Sequence, residues 1–199
     1  MLSNNIEHKN YSIEESNFKI ISSKKDLLMQ SLINFFMDRV NLDEVVPIIT
    51  GKTNISLRIL DWFVTNYSKK NNIHYQITLS EKTKTFIVYL DYKAQLKAYS
   101  KKQFDPFCRR ERISFIDHDN NELITTVGQL NFFRWAIENN ILNYIRDNYD
   151  IIENDMNNSL RNLYKKKEGE QHRRKRTELS ISATKTVNKH NVSIIVQFD

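Results

Sequence analysis

The spacing of hydrophobic and polar positions changes several times along the chain, and each change predicts an element. Through residue 22 the chain is mostly polar, with Tyr11, Ile13 and Phe18 isolated and only Ile20-Ile21 adjacent. That pattern predicts a mobile or loosely docked N-terminal arm. From Ser23 onward Met29, Leu32, Ile33, Phe36 and Val40 recur at helical spacing behind Ser23-Lys24-Lys25-Asp26, which has capping-box spacing, so a helix is expected over 24–40. Leu57, Leu60, Phe63, Val64 and Tyr67 predict a second helix over 56–70. It carries Lys69 and Lys70 where the helix dipole favours cations, and Asn71-Asn72 end it.

The period then falls to two. Ile73, Tyr75, Ile77 and Leu79, followed by Phe86, Val88 and Leu90, predict a β-hairpin. A short helix around Tyr92, Leu96 and Tyr99 leads through a basic segment to a second hairpin, with Ile113 and Phe115 on one strand, Leu123, Thr125 and Val127 on the other, and Asp117 to Asn121 as its turn. Thr126-Val127-Gly128-Gln129, again spaced as a capping box, opens a long helix expected over 127–149. Its stripe of Leu130, Phe133, Ile137, Ile141 and Tyr144 is joined by a second of Phe132, Trp135 and Leu142, so both faces should be buried. A weaker helix follows from about 151 to 164. Alternation returns in Leu179, Ile181 and Ala183 and in Val192, Ile194, Val196 and Phe198, predicting a terminal hairpin.

These elements predict an α+β fold, an antiparallel sheet built from hairpins and covered by three or more helices. The expected organisation is an arm at 1–22, an α+β domain at 23–155, a basic helix or linker at 156–176 and a C-terminal hairpin at 177–199, which joins the sheet or pairs with another chain.

Composition narrows the chemistry. Three glycines in 199 residues leave almost no room for a Gly-rich nucleotide cradle, and one cysteine, Cys108, builds neither a disulfide framework nor a cysteine-based zinc site. No apolar run long enough to span a bilayer or to serve as a secretory signal is present, so a soluble intracellular chain is expected. The 23 Asn, 23 Ile and 19 Lys residues all use A/T-rich codons. Lysine abundance then partly reflects base composition, and the position of charge says more than its amount.

That position is uneven. Between Tyr92 and Arg112 lie Lys93, Lys97, Lys101, Lys102, Arg109, Arg110 and Arg112 against Asp105 and Glu111, a balance of +5. Between Arg161 and Arg176 the bases include Lys165, Lys166, Lys167, Arg173, Arg174, Lys175 and Arg176, and the balance is +6. Residues 113–160 sum to −6. Concentrated positive charge is rewarded by counterion release from a nucleic-acid backbone. Within the first segment Tyr99, Phe104 and Phe107 sit among the cations as candidates for stacking on unpaired bases. The same rings serve equally as core anchors beside a solvated face, and Arg109 and Arg110 serve equally as partners of acids in 113–160. The second segment reads as polyanion contact or as a solvated linker, with a nuclear-import signal as a third reading.

Other signals fail. Gly51-Lys52-Thr53 ends like a phosphate-binding loop, but the first glycine of that motif would fall on Val46. Asp117-His118-Asp119 reads as a turn rather than a metal site, and no metal or cofactor is expected. Cys108 beside Arg109 lacks a neighbouring base, which favours a half-buried structural thiol, and no catalytic residue is assigned.

Three stretches, Ser56 to Tyr67, Tyr92 to Arg112 with its Phe104-Asp105-Pro106-Phe107-Cys108-Arg109-Arg110 block, and Thr125 to Ile137, resemble an uncharacterised protein family of large nucleocytoplasmic DNA viruses, as does the closing Glu178 to Asp199. The resemblance implies a viral origin and presence in virions or replication compartments, in host cytoplasm or nucleus. It implies no activity. The expected function is sequence-tolerant binding of DNA or RNA by the fourteen cations named above, worth on the order of a thousandfold loss of affinity between about 50 and 200 mM salt if six to ten phosphates are neutralised. The alternative is a structural virion protein that docks on acidic protein partners. No membrane is involved in either.

Overall fold

A computed structural model of the protein describes residues 9–12, 23–79, 82–116, 119 and 121–169. It forms two compact units, Met1–Ser159 and Leu160–Asp199, and in the second the described residues are the last turns of a helix. The predicted terminal hairpin lies outside the described residues.

Helix α1 (Lys24–Phe36) begins where predicted, with the Ser23 hydroxyl accepting the Asp26 N–H at 3.2 Å, and it buries Leu28, Met29, Leu32, Ile33 and Phe36. It stops short of Val40. Asp38 caps a new helix, α2 (Arg39–Ile49), which turns Leu42, Val45 and Ile48 inward and leaves Val40 67% exposed. The helical stretch predicted over 56–70 comprises α3 (Leu57–Trp62), a π turn (Phe63–Tyr67) and α4 (Ser68–Lys70). Asn72, at φ 53°, ends it in the left-handed region that asparagine tolerates.

Strands β2 (His74–Leu79) and β3 (Lys82–Ile87) pair antiparallel, with Tyr75 opposite Phe86 and Ile77 opposite Lys84. The sequence alternation continues past Phe86, but the strand does not. Val88 opens α5 (Val88–Gln103), where it is buried, while Leu90 is exposed. Near the end of α5, Ser100 adopts φ 59° and ψ 168°, so Lys101 and Lys102 do not continue the helical phase of Lys93 and Lys97.

The second predicted hairpin forms from β4 (Ile113–Ile116) and β5 (Glu122–Thr125). On its other edge β4 pairs in parallel with β1 (Lys9–Ser12), a strand inside the stretch read as an arm. The two hairpins belong to separate sheets rather than one continuous sheet. This is an α+β fold in which helices supply most of the core.

Helix α6 (Val127–Glu138) is central. Leu130, Phe132, Phe133, Trp135 and Ala136 are all buried, as two apolar stripes require. The long helix expected to 149 breaks after one segment: Asn140 takes φ 56°, and α7 (Ile141–Asp147) and α8 (Tyr149–Gly169) follow. Trp135 gathers Phe86, Tyr92, Phe104 and Phe132 at ring-centroid distances of 6.2, 6.0, 5.3 and 5.6 Å, and its indole N–H donates to Asp91 Oδ1 at 2.7 Å. Trp62 donates likewise to Asp155 Oδ2 of α8 at 3.1 Å, and Lys70 pairs with the same carboxylate.

Candidate nucleic-acid interface

The segment joining α5 to β4 contains the densest run of rings and cations, and α6 holds it in place through its own first turns. Gln129, fully buried, donates from Nε2 to the Pro106 carbonyl at 2.8 Å, while its Oε1 accepts from the Thr125 hydroxyl at 2.9 Å. Its backbone N–H is taken by Thr126 Oγ1 at 3.0 Å, so only half of the predicted capping box forms, the glutamine side chain serving the loop instead. Asn131 Nδ2 donates to the Gln103 carbonyl at 2.8 Å, and the Asp105 N–H to the Gly128 carbonyl at 3.2 Å. Gly128 makes this approach possible, since a Cβ there would sit 3.1 Å from the Lys102 carbonyl oxygen and 3.3 Å from backbone atoms of Gln103 and Phe104.

Inside the loop, Asp105 is nearly buried and organises its neighbours. Its carboxylate accepts from the Phe107 N–H at 3.2 Å and takes the Arg109 guanidinium in a two-point contact, Nε to Oδ2 at 3.0 Å and Nη2 to Oδ1 at 2.8 Å. The same guanidinium lies 4.6 Å from the Phe107 ring centroid. Arg109 is thus spent on an acid of its own loop, not on the 113–160 segment that the sequence offered, and it is removed from the set of free phosphate contacts. Beneath it, burial raises the Asp61 carboxyl above its ordinary value, an effect that Arg109 opposes, Asp105 reinforces and Lys101 opposes. The Tyr92 hydroxyl is pushed up to about 12 by burial, with Asp61 and Asp105 adding to it.

The remaining cations fall into two groups that meet at the end of α5. Lys93, Lys97 and Lys101 border one open depression of about 590 Å³ together with Ala94 and Leu96. Lys102 and Arg110 border a deeper recess of about 380 Å³, joined there by Lys25 of α1, whose ammonium lies 2.5 Å from Glu111. Lys25 is a member that sequence reasoning missed, because it belongs to a segment some 75 residues away whose local charge is unremarkable. Arg112 is exposed just before β4. None of Lys93, Lys97, Lys101, Lys102, Arg110 and Arg112 forms an ion pair with another described residue.

The proposed stacking rings fare differently. Phe104 is 1% exposed and enclosed by Tyr92, Tyr99, Phe132 and Trp135, so no base reaches it. That expectation is corrected: the ring is a core anchor, driven inward by the area it removes from water. Tyr99 is half-buried with its ring stacked on Phe104 at 6.4 Å, and Phe107 is half-buried with Arg109 over it. The surface is one of cations more than of rings.

Lys165, Lys166 and Lys167 lie on α8, while Arg173, Arg174, Lys175 and Arg176 lie outside the described residues. Cys108 is a free, half-buried cysteine within the pinned loop. Among the described residues no group of three His, Cys, Asp or Glu side chains could hold a metal ion, and no helix is long and apolar enough to cross a membrane.

A family model described as a family of unknown function, DUF7197, matches residues 2–198. An uncharacterised protein of Acanthamoeba polyphaga mimivirus, L507, is 39% identical over 175 residues, covering 85% of this chain and 65% of that protein. The chain therefore spans less than two thirds of that relative's length. No solved structure matches it.

Proposed function

The chain belongs to DUF7197, a family of unknown function with a relative in a large DNA virus, and from its surface we propose that it binds DNA or RNA with little sequence preference. The observation that carries this reading is the grouping of Lys93, Lys97 and Lys101 on one hollow and of Lys102 and Arg110 on another, without ion pairs to other described residues. Lysines a helical turn apart on an open surface attract a polyanionic backbone without reading bases, since phosphate contacts carry no sequence information. The binding role is placed in virions or replication compartments of the host cytoplasm or nucleus. No group among the described residues is assigned a catalytic step.

Five phosphate contacts give a slope of about −4.5 for log affinity against log salt on duplex DNA, or roughly a five-hundredfold loss between about 50 and 200 mM. Fluorescence anisotropy with single-stranded DNA, duplex DNA and RNA at those two salt concentrations tests this. A flat response, or binding unchanged in the K93Q/K97Q/K101Q/K102Q/R110Q variant, sinks the proposal.

One observation favours the second reading, a structural virion protein docked on an acidic protein partner. Leu90, 60% exposed, precedes Lys93 and Lys97 at helical spacing on the same side of α5, and an exposed leucine gains nothing from phosphate. That reading predicts a stoichiometric protein complex weakened by Leu90→Asp and no retention on nucleic acid.

A further inference from the structure

The two hollows differ in a way that separates their ligands. The depression along α5 is open, and its charged lining residues, Lys93, Lys97 and Lys101, are all cations set beside Ala94 and Leu96, which suits a continuous diester backbone. The recess at the α5–α6 junction is smaller, and two stretches remote in sequence supply its cations: the first turn of α1 gives Lys25, and the end of α5 with the loop that follows gives Lys102 and Arg110. We infer that this recess, bordered by Lys25, Lys102 and Arg110, receives a phosphomonoester, the terminal phosphate of a nucleic-acid strand. The inference rests on the nucleic-acid reading above and specifies it.

Charge matching carries the argument. Three cations and the single carboxylate of Glu111 leave the recess at +2. A phosphomonoester carries about −1.5 to −2 at neutral pH with three acceptor oxygens, whereas an internal diester carries only one charge. Arg110 supplies a planar fork for two of those oxygens and the lysines supply point charges. Thr126 and Val127, also lining the recess, place the positive end of the α6 dipole beside it.

Size and rigidity agree. About 380 Å³ lies within the range of small-ligand pockets and accommodates an end group with its first nucleoside, not a passing strand. The wall at the α5–α6 contact is fixed before any ligand arrives: Asn131 holds the Gln103 carbonyl, and Gly128 lets α6 press on Lys102 and Gln103. Glu111 competes with an incoming phosphate for Lys25, so its carboxylate weakens the site and its removal strengthens it.

The test uses one oligonucleotide sequence, labelled internally, with a 5′-phosphate, with a 3′-phosphate, and with hydroxyls at both ends, titrated at about 150 mM salt. One phosphorylated end should bind about tenfold more tightly than the unphosphorylated strand, the equivalent of one additional charge-assisted contact. Lys25→Gln and Arg110→Gln should reduce that ratio to about two, Lys97→Gln should weaken all three strands and keep the ratio, and Glu111→Gln should raise it. Equal affinity for the three strands by the wild type overturns the inference and leaves the general binding proposal standing. Failure of all three to bind overturns the general proposal instead. In that event adenosine monophosphate is titrated against adenosine by calorimetry: monophosphate binding abolished by Arg110→Gln retains the recess as a phosphate site, and its absence overturns that as well.

Discussion

Asp105 shows how one side chain decides what its neighbours are free to do. By holding the Phe107 N–H and one edge of the Arg109 guanidinium at two points it fixes the turn that presents Arg110, and it does so from a nearly buried position. Asp105→Ala should destabilise the protein by about 1.5–3 kcal/mol, the range for hydrogen bonds to a charged group, discounted toward the lower end because Arg109 is largely exposed. Urea denaturation measures it, and a loss below about 0.5 kcal/mol shows that the turn holds without the carboxylate. Asp61 acts in the opposite direction. Burial raises its carboxyl above the ordinary 3.8, so within the window from that value upward the folded state holds more protons than the unfolded chain. Its contribution to stability then falls as pH rises through the window, and at neutral pH the buried charge is a net cost. Asp61→Asn should accordingly be more stable than wild type at pH 7, with the gap closing as pH falls below the ordinary carboxylate value; thermal melts at pH 7 and pH 3.5 read the difference. A gap that widens on acidification contradicts this assignment.

Among the elements, the contact between α5 and α6 matters most for the surface. Gly128 lets the first turn of α6 lie against the backbone of residues 102–104, and backbone cannot rotate away as a side chain can. Gly128→Ala should cost about 1–3 kcal/mol by overpacking and should displace Lys102 with it, visible as a lowered melting temperature together with shifted amide resonances for 102–105. Much of this arrangement was legible in advance. The N-caps at Ser23 and Thr126, the two hairpins and the doubly buried α6 follow directly from spacing. The missed features have physical causes. Asp38 caps α2 in mid-run, where the apolar period hardly changes, and Val40 fits either helix. Val88 and Tyr92 are spaced for a helix while Phe86, Val88 and Leu90 are spaced for a strand, and the burial of Val88 inside α5 resolved a tie that period alone leaves open. Asn139-Asn140 ends α6 much as Asn71-Asn72 ends α4, with the second asparagine left-handed in each, yet the run of apolar residues on both sides masked the later pair. The clustering of cations was legible in the sequence, whereas the burial of Phe104 and the approach of Lys25 were not, because burial and long-range convergence are properties of the packed chain.

For the molecule as a whole, the proposed nucleic-acid binding ties charge position to the salt response, contact by contact. Replacing Lys93, Lys97 and Lys101 together by glutamine should flatten the log–log salt slope on duplex DNA by about 2.7, since each lost phosphate contact removes about 0.9. Replacing Lys165, Lys166, Lys167, Arg173, Arg174, Lys175 and Arg176 flattens it further in proportion to how many of them touch the strand, and an unchanged slope assigns that segment to another task. The π turn at Phe63–Tyr67 sets a different kind of order. In an unbroken α-helix, positions eight apart are rotated by about 80° from each other, whereas seven-residue spacing returns to within about 20°. The π turn absorbs one surplus residue, so Trp62 and Lys70 come round to the same azimuth and close on opposite oxygens of Asp155. Deleting a single residue from 63–67 would regularise the helix and leave that azimuth nearly intact, whereas deleting Ser68 or Lys69 would swing the lysine off it; the wide turn is a phase corrector that lets one carboxylate of α8 clasp the middle and the C-terminal end of the helical rod that starts at Leu57.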